Sequence, residues 1–120
     1  MPRASRLLVE TYRDVTSVTF TDATVIDLQH IDNIRDELLE LLVKQDRRKV
    51  ILHMGKVQHF SSSALGMLVE AAAASKKQKG TLVLCGVQPE IRKIFKITKL
   101  EKQFRFAADE KAALAALGAR

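Results

Sequence analysis

Three consecutive serines, Ser61, Ser62 and Ser63, are the residues of this chain best suited to chemistry. His53 and His59 lie shortly before them, so a serine nucleophile with a histidine base is one arrangement to consider. The Gly-x-Ser-x-Gly elbow of many hydrolases is absent, and serine catalysis also needs an oriented base and oxyanion donors. The pattern therefore favours a binding module, and we expect no catalytic residue and no enzyme activity.

The setting of the serines suggests a second chemistry, the acceptance of a phosphate. They follow an apolar run of strand length at 49–54, and apolar residues then recur at helical spacing, at 65, 68, 69, 72 and 73. A hydroxyl at a helix start can accept a hydrogen bond from a free N–H, and most serines there serve only as caps. The free N–H groups and the helix dipole also favour an anion. We expect Ser63 to be the cap.

The elements that position the serines have the pattern of an α/β fold. Residues 7–13 and 15–20 alternate like the two strands of a hairpin turning near Asp14, and 24–28 form a brief extended piece. A helix is predicted over about 30–45. It is followed by the apolar run at 49–54, which is typical of a parallel strand covered on both faces.

The second half of the chain continues this alternation. A further apolar strand is predicted at 81–85, and the helix before it provides a right-handed crossover. Gly80 is expected to end that helix as a left-handed cap, and Pro89 to start the next one. Three apolar residues should face inward from that helix, Ile91, Ile94 and Phe95. Phe104 and Phe106 suggest a short closing strand, and Asp109 should cap a final helix carrying Leu114 and Leu117.

Length and composition fit one small domain without a cofactor. The chain has 120 residues, of which 47% are hydrophobic, enough for a single core. No apolar run approaches the ~20 residues of a membrane span, and no secretion signal is visible, so we expect a cytoplasmic protein without membrane insertion. Cys85 lies in an apolar run and should be a buried, inert thiol. Zinc-binding patterns and phosphate-binding glycine loops are absent, so we expect no metal and no cofactor.

A basic charge excess leaves nucleic acid open as a weaker alternative partner. The formal net charge is +6. Arg92, Lys96 and Lys99 fall at i, i+4 and i+7, which would place them on one face of a helix. Aromatic residues for base stacking are scarce, and no nucleic-acid-binding motif accompanies the cations.

The segment from Val50 to Gly66 resembles the signature of the STAS family, the single-domain antagonists of bacterial anti-sigma factors. The residues that carry the resemblance are Val50-Ile51-Leu52, Val57 and Phe60-Ser61-Ser62-Ser63-Ala64-Leu65-Gly66. It extends to Ile26-Asp27 before the first helix, and to Leu82-Val83-Leu84-Cys85-Gly86-Val87 with Ile91, Phe95 and Leu100. The resemblance covers about residues 7–117 as one STAS-like domain, between a flexible end at 1–6 and a short C-terminal end at 118–120. It implies a mixed sheet of about four to five strands packed with about four α-helices.

The resemblance also implies a function and a set of site residues. The family's phosphorylated hydroxyl falls on Ser62, and Ala64, Leu65 and Gly66 occupy its small-Leu-Gly positions. Such an antagonist binds an anti-sigma factor that is also a serine kinase, and phosphorylation by that kinase ends the interaction; a serine phosphatase is a further expected partner. The surface expected to bind the partner consists of Asp27, Ser61, Ser62, Ser63, Ala64, Gly66 and Met67.

Ser61 stands where the family usually has Asp before the phosphorylated residue. This departure leaves a second interpretation open, a STAS subunit that serves a transporter or a larger signalling assembly without phosphorylation. A basic nucleic-acid-binding domain is the third.

Overall fold

The computed structural model describes residues 7–20, 25–26, 28–57 and 59–118. The strands in these ranges are β1 Leu7–Tyr12, β2 Val15–Phe20, β3 Val25–Ile26, β4 Lys49–His53, β5 His59–Phe60, β6 Thr81–Cys85 and β7 Arg105–Ala107. The α-helices are α1 Leu28–Leu39, α2 Ser62–Lys77, α3 Pro89–Ile97 and α4 Glu110–Ala116. The predicted flexible end at 1–6 and the site residue Asp27 lie outside the described residues.

The main sheet is mixed and has the strand order β1-β2-β4-β6-β7. β1 and β2 form the predicted antiparallel hairpin, with Tyr12 opposite Val15 across a two-residue turn. Arg13 in that turn has a positive φ of 55°, as such tight hairpin turns require. β4 pairs in parallel with β2 on one side and β6 on the other, which confirms the expectation for the two apolar strands. A short parallel pair, β3 and β5, forms a second sheet.

The helices cover the two faces of the sheet unequally. The larger core lies on the face of α1, α2 and α3, where Leu38, Leu68 and Phe95 are fully buried. On the other face, Ala113 of α4 and Leu117, which directly follows this helix, belong to a smaller cluster that includes Val15 and Ile51. Because side chains alternate along a strand, β4 sends Val50 and Leu52 to the larger core and Ile51 to the smaller one. The α/β class and the mixed sheet with four α-helices are as predicted.

The first helix, predicted over about 30–45, is confirmed in extent and differs from the prediction in pitch near its end. The first helix begins at Leu28, and after Leu39 it continues as a π-helical turn, Glu40–Lys44. The Gln45 N–H donates to the Glu40 carbonyl at 3.0 Å, an i to i−5 bond that inserts one residue into the helical ladder. Leu41 and Leu42 lie in this turn, and both are buried.

The end of α2 also differs from the prediction, because Gly80 is not the left-handed residue. Lys79 has that conformation, with φ 60°, and the Gly80 N–H donates to the Ser75 carbonyl at 2.8 Å, as in a Schellman motif. Gly80 is needed for a different reason. A Cβ at this position would lie 2.7 Å from the Arg48 carbonyl oxygen, so the chain passes too close to the start of β4 for a side chain.

The C-terminal third follows the prediction with one exception. Pro89 lies in the first turn of α3, and Asp109 Oδ1 accepts from the Ala112 N–H at 2.8 Å to cap α4. Phe104 immediately precedes the closing strand, and Phe106 lies within it. Lys99, however, follows the end of α3 with φ 62°, so the predicted basic face of Arg92, Lys96 and Lys99 is not a continuous helical face.

Cys85 is buried, as expected, in the smaller core cluster. Burial raises the pKa of its thiol, and the nearby Asp109 and Glu110 carboxylates raise it further. In the part of the chain that the structure describes, no helix is both long enough and apolar enough to cross a membrane.

The packing of α2 can be tested with a buried side chain of this helix and, as a control, an exposed side chain at the end of α3. Leu68 is 0% exposed and Ile97 is 78% exposed. We expect Leu68→Ala to lower the free energy of unfolding by roughly 2 to 5 kcal/mol, because apolar contacts are lost and a cavity remains. Ile97→Ala should change it by no more than about 0.5 kcal/mol. Urea denaturation of both variants measures this, and equal losses would show that the assigned phase of α2 is incorrect.

Candidate functional site

A short, anchored loop leads from the central strand β4 to the serines. The Met54 N–H donates to the Cys85 carbonyl at 2.9 Å, and the Val57 N–H donates to the Met54 carbonyl at 3.1 Å. Both Met54 and Val57 are buried. At the tip of the loop, Gln88 Nε2 donates to the Gly55 carbonyl at 2.6 Å. The loop is therefore fixed both to the end of β6 and to the start of α3.

The residue that caps α2 is Ser61. Its Oγ accepts from the Ala64 N–H at 3.0 Å, and its carbonyl accepts the first helical bond, from the Leu65 N–H at 3.0 Å. The expectation that Ser63 caps the helix is therefore wrong. A sequence signal for Ser61 was present, because Phe60 and Leu65 are apolar residues at the two positions of a hydrophobic staple around a cap at 61.

With the cap assigned to Ser61, the other two serines occupy the first two helical positions. Ser62 and Ser63 are both exposed, and Ser61 is half-buried. One turn further, Gly66 is exposed and has no heavy atom within 4 Å of the place a Cβ would take. The outward surface at this helix end therefore consists of two hydroxyls and a bare stretch of backbone.

Two residues predicted to contact a partner lie inside the protein. Ala64 is 0% exposed and Met67 is 3% exposed, and both belong to the larger core. A partner cannot reach these side chains while α2 is packed on the sheet, which corrects their assignment to the contact surface. The periodicity at 65 and 68 contained this information, since 64 and 67 flank the same buried stripe.

The electrostatic setting of Ser62 is favourable to an anion. The first turn of α2 contains no acidic residue, and the basic residues Lys76 and Lys77 lie in the last turn. The first carboxylate along α2 is that of Glu70, which faces Arg35 Nη1 at 4.0 Å. By helix geometry the N–H groups of Ser62 and Ser63 have no acceptor within the helix, and they lie at the positive end of its dipole. A phosphate on Ser62 would meet these donors.

The structure does not bring His53 to the serines. Its position in β4 places its side chain on the same face of the sheet as Ile51, away from α2. There His53 Nε2 lies 2.7 Å from Ser17 Oγ and 3.4 Å from Glu110 Oε1. His53 is thus not placed to act as a base for Ser62.

The most prominent basic residue of α3, Arg92, is already held within the protein. Its Nε lies 3.4 Å from Glu101 Oε2, and its guanidinium carbon lies 3.7 Å from the centre of the Phe106 ring. Together with the position of Lys99 beyond the helix end, this reduces the number of cations that α3 presents on one face. No observation on this helix favours nucleic acid.

Comparison with known proteins identifies relatives of the whole domain. A family model described as the STAS domain matches residues 6–113. A Bordetella bronchiseptica protein named "Putative anti-sigma factor antagonist BtrV" is 30% identical over 92 residues, which cover 77% of this chain and 78% of that protein.

Two solved structures illustrate the shared fold. An anti-sigma-factor antagonist (STAS) domain protein of Planctomyces limnophilus is 22% identical with a TM-score of 0.82, over 96% of this chain and 99% of that one. The Bacillus cell fate determinant SpoIIAA in its phosphorylated form is 18% identical with a TM-score of 0.70, over 92% and 98% of the two chains.

The new assignment of the cap leads to a direct stability test. We expect Ser61→Ala to lower the free energy of unfolding by roughly 0.5 to 2 kcal/mol, because the Ala64 N–H loses its acceptor. Ser63→Ala, at an exposed helical position, should change it by no more than about 0.5 kcal/mol. Ser61→Asp should retain stability, since aspartate also caps helices. Thermal or urea unfolding measures all three, and a larger loss for Ser63→Ala than for Ser61→Ala would refute the assignment.

Proposed function

Because the chain belongs to the STAS domain family, we propose that it is an anti-sigma factor antagonist that binds an anti-sigma factor with serine kinase activity. In this proposal the kinase transfers a phosphate from ATP to Ser62, and the phosphorylated protein releases the kinase. While the unphosphorylated protein is bound, the sigma factor is free.

The observation that carries the proposal is that capping and exposure fall on different serines. Ser61 provides the cap through its Oγ, so the hydroxyl of Ser62 is not needed to hold the helix. Ser62 is also exposed, which a kinase requires of its acceptor. Modification of this hydroxyl can therefore change the surface while the cap of α2 stays intact.

The physical effect of the phosphate supports a switch of this kind. A phosphoserine carries about −1.5 to −2 charges at neutral pH. At the start of α2 this charge is favourable for the free protein, since the helix dipole and the first N–H groups stabilise it. In a contact with a partner that fits two small hydroxyls and Gly66, the same charge has to be desolvated and fitted into the interface. Phosphorylation would thus weaken binding without unfolding the domain.

The relatives point in the same direction. BtrV is named as an anti-sigma factor antagonist, and SpoIIAA has been seen both unphosphorylated and phosphorylated. The contact surface that we propose for this chain comprises the exposed Ser62, Ser63 and Gly66 together with the half-buried Ser61. Asp27 remains a predicted member of that surface. A serine phosphatase that removes the phosphate, and a cytoplasmic location, remain part of the proposal.

Phosphorylation of Ser62 is tested with the kinase partner and ATP. We expect one phosphate per chain, located on Ser62 by tandem mass spectrometry. Ser62→Ala should abolish the modification and keep partner binding, because it removes the acceptor hydroxyl but leaves the cap in place. Ser62→Asp should weaken binding, since a carboxylate supplies part of the charge of a phosphate.

The neighbouring serines are the controls for this experiment. Ser63→Ala should still be phosphorylated, and so should Ser61→Asp, which introduces the acidic residue usual in the family. A phosphate found on Ser61 or Ser63 would contradict the assignment. No phosphate with an active partner kinase would favour instead a STAS subunit of a transporter or signalling assembly that works without phosphorylation.

Close approach of the partner is tested at Gly66. A side chain at this exposed helical position meets no atom of the protein, and replacing glycine inside a helix is favourable by roughly 0.5 to 1 kcal/mol. We therefore expect Gly66→Arg to fold normally and to lose affinity for the kinase at least about tenfold, a change of about 1.4 kcal/mol in binding free energy.

The matched control is Ala115→Arg, which adds the same side chain at an exposed position of α4 on the opposite face of the sheet. It should bind like the unmodified protein. Calorimetric titration of both variants decides the matter, and undiminished affinity of Gly66→Arg would show that the partner does not contact this part of α2.

A further inference from the structure

We propose that the free edge of β1 is a second docking site, which takes an extended segment of a partner protein in which apolar and basic residues alternate. The site shares no residue with the surface around Ser62, so it goes beyond the proposed function and can fail independently of it.

The first observation is the lack of cover on this edge. β1 is the terminal strand of the five-stranded sheet, and in the part of the chain that the structure describes β2 is its only neighbour. Leu8 is 51% exposed, Val9 40% and Tyr12 53%. Natural sheets usually protect such an edge with prolines, lysines or a bulge, because its unpaired backbone groups can pair with another strand. β1 has no proline or lysine, its one charged side chain is that of Glu10, and its register with β2 is continuous.

The register also shows which backbone groups are available. Hydrogen-bonded and non-hydrogen-bonded pairs alternate along an antiparallel ladder. The pair that closes the two-residue turn, Tyr12 with Val15, is a hydrogen-bonded one. Val9 and Thr11 therefore direct their N–H and C=O groups away from β2. An incoming strand would pair with these two residues.

The side chains next to the edge define the chemistry of the occupant. Leu8, Glu10 and Tyr12 share the face of the sheet on which α4 lies, since their partners in β2 include Val15 and Ser17. An open groove of about 380 Å³ runs from this part of β1 to α4. Its floor is apolar, from Val15, Ile51 and Leu114, and two exposed carboxylates, those of Glu10 and Glu110, stand at its sides.

Because side chains alternate along a strand, an added strand of alternating basic and apolar residues would place its basic residues together on this face. One would lie beside Glu10, and the others would lay their aliphatic stems against Leu8 and Tyr12. Opposite charges directly across two strands are stabilising, and like charges are destabilising. A lysine or arginine at the central position fits Glu10 and can extend toward Glu110 across the groove. Although the chain as a whole has a net charge of +6, the two carboxylates make this groove favourable for a cationic side chain.

The same residues argue against a second copy of this chain as the occupant. When β1 pairs antiparallel with β1 of a second copy, residues that lie opposite each other must be on the same face of the sheet. Two such registers pair nearly the whole strand. One register places Glu10 opposite Glu10 of the other copy, and the other places Glu10 opposite Leu8. The first brings like charges together, and the second buries a carboxylate against an apolar side chain.

The test uses the full chain and two blocked peptides of equal length, one alternating valine with lysine and the other alternating valine with glutamate. The lysine peptide should slow the amide exchange of Val9 and Thr11 measured by NMR, and the glutamate peptide should not. Glu10→Lys should reverse this preference, with the lysine peptide weakened roughly tenfold, because an attractive cross-strand pair becomes a repulsive one. Val9→Pro, which removes an outward N–H at an edge position, should weaken binding of the lysine peptide.

Several results would overturn the proposal. These are equal binding of the two peptides, binding that Glu10→Lys leaves unchanged, or protection at residues other than those of β1. Dimerisation of the chain alone, seen by sedimentation and abolished by Val9→Pro, would identify a second copy as the occupant and would also overturn it. Glu10→Lys should leave phosphorylation at Ser62 unchanged, so the failure of either proposal is visible separately.

Discussion

The structure depends on the burial of β4 between two parallel neighbours. Its side chains enter the cores on both faces of the sheet, and its backbone pairs with β2 and β6. A strand held in this way cannot change register without moving apolar side chains to the wrong face. The position of its carboxyl end is therefore fixed. The hydrogen-bonded loop that follows this end in turn fixes the position of the start of α2. The exposure of Ser62 follows from this arrangement, because the buried stripe of α2 begins at Ala64 and leaves Ser62 and Ser63 facing outward.

Most of the architecture could be predicted from the sequence, because each element has a strong local pattern. The apolar runs of β4 and β6 predicted that these two strands are parallel. Asp109 predicted a helix start because its carboxylate can cap a helix, and Pro89 because proline favours the first helical turn. The prediction was wrong where several residues had similar local preferences. Three adjacent serines can all cap a helix, and only the apolar residues Phe60 and Leu65, at the two positions of a hydrophobic staple, distinguish Ser61 as the cap.

The errors at Gly80 and Met67 have different causes. Glycine next to a helix end usually adopts the left-handed conformation, but here Lys79 adopts it and Gly80 is required by the passage of the chain beside Arg48. This contact joins residues far apart in the sequence, so no local pattern contains it. Met67 was assigned to the surface because it is close to the serines, although the apolar periodicity of α2 already placed it beside the buried stripe.

The central claim is that a phosphate on Ser62 changes the binding surface and leaves the domain intact. It is tested most directly by preparing the chain with phosphoserine at position 62 and titrating it into the kinase partner, beside the unmodified chain. The account predicts equal thermal stability or a gain for the phosphorylated chain, together with a loss of affinity for the kinase of at least about a hundredfold, or about 2.7 kcal/mol. Unchanged affinity, or a phosphorylated chain that is less stable than the unmodified one, would contradict it.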